Sequence, residues 1–180
     1  MRRWCSKSRQ SVGVLDSETS GEGEREGIHE VVDTSPSRGW DIARRHEAEQ
    51  WAADILSTNE TINLEHLSIV MRAWAGRRNY ERKRVTPDGH DFVRSDTFGL
   101  IRQHTGQLGV STISNEFPSA CTLLNEFAHH NAIDTTRWTS ITVNTHFASR
   151  RHRDCNNLGP SYMVAVGDFS GCELHFLALR

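Results

Sequence analysis

Along the first 37 or so positions apolar residues are too scattered to show any period. Ser, Gly, Glu and Arg dominate, with Gly21-Glu22-Gly23-Glu24-Arg25-Glu26-Gly27 at the centre. Such a stretch cannot bury enough apolar surface to offset its ordering entropy, and Val12, Val14 and Leu15 are too few to change that. A disordered tail is expected over 1–37. From Trp40 the pattern turns helical: Trp40, Ala43, Ala48, Trp51, Ala52, Ile55 and Leu56 recur near a 3.6-residue period, with Asp41 and Glu47 toward the start. A second helix fits Leu64, Leu67, Val70, Met71 and Trp74, capped by Asn63 and ending at Gly76. Tryptophans at this spacing predict helix packing more readily than a stacking platform for bases.

After Gly76 the period is lost in a basic run holding Arg77, Arg78, Arg82, Lys83 and Arg84. It reads as a solvated connector, or alternatively as a phosphate-contacting patch, although only Tyr80 interleaves an aromatic ring. Thr86-Pro87-Asp88-Gly89 has the chemistry of a turn. A strand is predicted over Thr97–Ile101. A helix is predicted from Pro118 to about His130, with Cys121, Leu124 and Phe127/Ala128 along one face. Ile141, Val143 and Phe147 alternate with Thr142, Asn144 and His146, the strongest strand pattern in the chain. Tyr162 to Val166 is a continuous apolar run, expected to be a strand buried on both sides. Gly167 to Gly171 is turn material, and Glu173 to Leu179 predicts another strand. The class is α+β.

Composition narrows this only a little. The 180 residues suffice for one domain and a tail, and a net charge of -2 gives no global attraction to nucleic acid or membrane. There is no run of apolar residues long enough to span a bilayer, and no apolar run after the basic start to make a secretory signal. An intracellular, cytoplasmic or nuclear, location is expected. Cys5, Cys121, Cys155 and Cys172 form no CxxC pair and have no regular spacing, which argues against a zinc module or disulfide framework. Mostly buried reduced thiols are expected.

The chemistry-bearing stretch runs from Thr145 to Ser161 and contains His152-Arg153-Asp154. In extended backbone, residues two apart share a face, so His152 and Asp154 can aim an imidazole nitrogen and a carboxylate oxygen at one point. These are two of the three ligands of a 2-His-1-carboxylate iron site. By itself the pair is a short pattern that more often marks a surface His beside a solvated Asp.

The surroundings are more specific. The strand Ser140-Ile141-Thr142-Val143-Asn144 precedes the pair, Asn156-Asn157 follows it, and then come Tyr162–Val166 and Gly167-Asp168-Phe169-Ser170-Gly171-Cys172-Glu173-Leu174. This order resembles the 2-oxoglutarate/Fe(II) oxygenase superfamily, in the branch of the ten-eleven-translocation and base-J thymine hydroxylases. The likeness runs from about Ser95 to Phe176, with Cys172 where that branch has a second glycine. It implies an incomplete double-stranded β-helix (jelly-roll) over 95–180, while the helical segment with a basic connector over 38–94 rests on its periodicity alone and lies outside the likeness. It also implies Fe(II) held by His152 and Asp154, 2-oxoglutarate as co-substrate, and hydroxylation of a C–H bond, with a leaning toward a base in nucleic acid. Asn144 and Asn157 become candidates to hydrogen-bond and orient the ligands, or else asparagines bonding their own backbone.

The sequence also departs from that pattern. After Asp154 the only histidine is His175, in a position where the branch has an ordinary strand residue, and the only cation is Arg180. The distal His and the Arg that would pair with the far carboxylate of 2-oxoglutarate are missing, as in a C-terminally truncated product. Little or no turnover is expected of the 180 residues alone. The alternative is a non-catalytic, degenerate oxygenase-like interaction module. A kinase reading of His152-Arg153-Asp154 and Asp168-Phe169 fails, since Asn156 and Asn157 are too close to the Asp and there is no Gly-rich loop. A hydrolase built on Cys155 beside His152 lacks any oxyanion-hole motif.

Overall fold

The computed structural model describes residues 2–5, 38–131, 138–145, 149–150 and 162–167. In chain order the elements are β1 (Arg2–Cys5), α1 (Arg38–Ser57), α2 (Leu64–Ala73), β2 (Arg78–Asn79) and β3 (Val93–Arg102). Then come β4 (Leu108–Val110), α3 (Thr112–Glu116), α4 (Pro118–Asn131), β5 (Ser140–Thr145) and β6 (Tyr162–Ala165). The chain is mixed α+β, and it divides into two units, one of Met1–Thr19 with Asn157–Arg180 and one of Ser20–Asn156.

In the first unit β1 pairs with β6 in parallel, from Arg2 opposite Tyr162 to Cys5 opposite Ala165. β1 falls within the segment whose composition predicts a disordered tail; positions 6–37 of that segment lie outside the described residues. The apolar run of β6 predicts burial on both faces, which the strand does not have. Met163 and Val164 are exposed, because apolar residues in a row bury both faces only where a layer covers each one. Gly167, the first residue of the expected turn, has a φ of +105°, and positions 168–171 lie outside the described residues. The strand expected over Glu173–Leu179 lies outside the described residues.

In the larger unit α1, α2 and α4 pack on one another and on one face of an antiparallel sheet. α2 starts where the Asn63 side chain accepts the His66 N–H and the His66 ring reaches back to the Asn63 N–H, a reciprocal cap. α4 starts with Pro118, and its first free amides, Ser119 and Ala120, donate to the Glu49 carboxylate at 2.7 and 2.8 Å. This satisfies two orphan donors and ties α4 to α1.

Two expected faces are rotated. The buried stripe of α1 is Asp41, Arg45, Ala48 and Ala52, while Trp40 and Trp51 are 43% and 38% exposed. The buried stripe of α4 is Ala120, Leu123, Leu124 and Phe127, and Cys121 is a free, half-buried thiol. Trp74 does pack as expected, with its ring 5.2 Å from Phe98 and 5.3 Å from Phe117 at the centre of the core.

β3 organises the sheet. Its first half pairs with β5 from Arg94 opposite Thr145 to Gly99 opposite Ser140, its start with β2, and its end with β4. The change of partner falls at Gly99, whose φ of +92° and whose closeness to the Thr139 carbonyl both exclude a side chain. Side chains alternate across β3. Asp96 and Phe98 meet Trp74 on the helix side. Ser95 and Thr97 fall on the other face with Asn144 and Thr142, their partners in register, and the Thr97 and Thr142 hydroxyls are 3.1 Å apart.

Candidate functional site

β5 is the strand that leads toward the His-x-Asp pair. It is amphipathic as its alternation predicts, with Ile141, Val143 and Thr145 half-buried and Ser140, Thr142 and Asn144 exposed. Asn144 therefore stands on the face that the helices leave uncovered. Its Oδ1 accepts from Arg82 Nη1 at 3.2 Å, and the same nitrogen donates to Ser95 Oγ at 2.9 Å. The side chain that sequence alone could assign to its own backbone is thus engaged across the sheet. One arginine of the basic run is brought onto the polar sheet face beside it.

The connector also meets the chain a few residues further on. The Arg150 N–H donates to the Val85 carbonyl at 3.0 Å, and the Arg150 guanidinium pairs with Asp88. Val85 sits in a backbone turn closed by the Val85 and Thr86 amides on the Arg82 carbonyl. The Thr86-Pro87-Asp88-Gly89 segment turns as predicted, with the His90 amide on the Pro87 carbonyl and Gly89 at φ +81°. Arg82 thus touches Asn144, and Val85 and Asp88 touch Arg150, two residues before His152. Nothing in the spacing of these three residues signals that role.

His152, Asp154 and Asn157 lie outside the described residues, as do His175 and Cys155. Asn144 is the one sequence-chosen residue whose surroundings are described. Among the described residues there is no group of three or more His, Cys, Asp or Glu side chains able to hold a metal ion. His152 and Asp154 together offer one imidazole and one carboxylate, donors of the kind that suit Fe(II).

A second polar cluster, unmarked in the sequence, lies on the helix side of β3. The Asp96 side chain is 2% exposed, and its Oδ2 accepts the Trp74 indole N–H and the Arg77 amide, each at 3.0 Å. Arg45 donates to the Ala75 carbonyl at 2.8 Å, and Arg94 donates to the Gly76 carbonyl at 2.9 Å and lies 3.3 Å from Asp41. Arg77 pairs with Glu116 as well. Burial pushes the Asp96 carboxyl up, against the bonds from Arg77 and Trp74 and the nearby guanidiniums that hold it down. Burial likewise lowers Arg45, partly offset by Asp96 and Asp41. These groups bind backbone carbonyls and amides of the α2–β2 connection, so the cluster fastens the helices to the sheet.

No family model, no curated protein and no solved structure matches this chain. No helix among the described residues is long and apolar enough to cross a membrane.

Proposed function

We propose that this chain is an oxygenase-like protein of the 2-oxoglutarate/Fe(II) superfamily, similar to its ten-eleven-translocation and base-J hydroxylase branch. In this reading His152 and Asp154 supply two iron ligands, and the β3–β5 sheet belongs to a double-stranded β-helix. One observation carries it: the order of strand, His152-x-Asp154, Asn156-Asn157, apolar strand and Gly167-Asp168-Phe169-Ser170-Gly171. The fold is compatible at two points. Ser140–Thr145 is a strand ending shortly before the pair, and Tyr162–Ala165 is a strand shortly after it.

Bound Fe(II) with 2-oxoglutarate would supply the oxidising chemistry for hydroxylating a C–H bond. The chain's own residues have simpler tasks. His152 would lend a ring nitrogen and Asp154 a carboxylate oxygen. Asn144 and Asn157 orient those ligands by hydrogen bonds, and Arg82 holds Asn144 in place. A non-catalytic interaction module of the same fold is the second reading.

Anaerobic equilibrium dialysis against Fe(II) tests the proposal. The wild-type chain is expected to take up the ion, and His152→Ala or Asp154→Ala to weaken uptake by at least about tenfold. Uptake no different from a metal-free control protein, or unchanged in both variants, would remove the metal site and leave the interaction-module reading.

A further inference from the structure

Tertiary structure supplies the aromatic partner that the basic run lacks in sequence. Tyr80 is 53% exposed, and Phe92, from across the turn, lies 5.4 Å from its ring. The Arg78 guanidinium covers Phe92 at 5.0 Å from the ring centroid, with Arg94 at 6.0 Å. Lys83 and Arg84 follow Tyr80 by three and four residues and are exposed. Three acids lie in the same stretch, Glu81, Asp88 and Asp91, but Asp88 is neutralised by Arg150. Along residues 78–92 Arg78, Arg82, Lys83 and Arg84 therefore outnumber the remaining acids Glu81 and Asp91, in a chain whose overall charge is -2.

We infer that Tyr80, braced by Phe92 and followed within four residues by Lys83 and Arg84, is a contact surface for a single strand of nucleic acid. A half-exposed ring fixed by a neighbouring ring meets a base with little further ordering, and stacking of this kind is indifferent to sequence. Exposed cations a few residues away suit the adjoining phosphates. An acidic peptide would use the cations and leave the ring idle, which is why the strand fits better. The surface lies outside the His152–Asp154 segment and stands or falls independently of iron binding.

The test is fluorescence anisotropy of the full chain with labelled oligothymidylate and oligouridylate, each about ten nucleotides long, over a salt series. Binding of either supports the surface, and comparing the two tells DNA from RNA. Tyr80→Ala is expected to weaken binding at least about fivefold with the salt slope unchanged, and Tyr80→Phe to bind like wild type. Replacing Lys83 and Arg84 together by Ala should flatten the slope of log affinity against log salt by about 1.4. Circular dichroism confirms that each variant is folded. Three results overturn the inference: no binding at low salt, Tyr80→Ala binding as tightly as wild type, or polyglutamate binding where neither oligonucleotide does.

Discussion

Replacing Asp96 tests whether the buried cluster works through hydrogen bonds or through charge. Asp96→Ala leaves the Trp74 indole N–H and the Arg77 amide without an acceptor, in surroundings that admit little water. An orphaned buried donor costs about 1–3 kcal/mol, so the pair amounts to about 2–6 kcal/mol, a large share of the stability of a domain this size. Asp96→Asn keeps an oxygen for those donors and removes a carboxylate whose charged form burial disfavours. It also gives up attraction to Arg77 and Arg45. The two effects oppose each other, so a net loss under about 1.5 kcal/mol is expected. Urea unfolding followed by circular dichroism gives both numbers.

The pH dependence sharpens the test. A carboxyl raised in the folded state binds its proton more tightly there than in the unfolded chain. Its contribution is therefore fullest below the ordinary carboxylate range and falls as pH rises through the raised folded value. Asn does not titrate. The advantage of wild type over Asp96→Asn should thus be larger near about pH 4 than near about pH 7. If Asn costs as much as Ala at neutral pH, or if the wild-type advantage grows with pH, charge rather than hydrogen bonding holds the cluster.

Two helix ends give smaller effects. Glu49→Gln should destabilise by about 1 kcal/mol, since one neutral oxygen replaces a carboxylate that caps two amides of α4, whereas Glu49→Ala should cost about 2 kcal/mol. Equal losses from Gln and Ala in urea unfolding would mean that only the charge matters. Asn63→Ala should cost about 1 kcal/mol by removing the cap of α2, and Asn63→Asp should cost only a few tenths. A loss from Asn63→Asp as large as that from Asn63→Ala, read in the same urea assay, would contradict the capping geometry.

Local patterns in the sequence are enough to place α1, α2, α4 and β5, to cap α2 at Asn63, and to turn the chain at Gly89. Each is decided within a few residues, by periodicity, a cap or a positive φ. The short pieces β2, β4 and α3 show no periodicity: α3 has only its Ser111 cap, β4 only the turn at Gly106, and β2 only its pairing with β3. The faces of α1 are not legible either. Periodicity favours Trp40 and Trp51, yet Asp41 and Arg45 are buried, because Arg94 and the Ala75 carbonyl meet them from other elements. Burying a charge is favourable only where a partner waits, and partners from distant segments do not show in a helical period. Likewise Phe92 converts a lone Tyr80 into a braced pair, and Arg82 ties Asn144 to the connector, across 12 and 62 residues of chain respectively. The His152–Asp154 pair is the reverse case, since its meaning comes entirely from the order of residues around it. Sequence order could therefore suggest an iron site, while tertiary contacts alone decided which charges are buried and which rings face solvent.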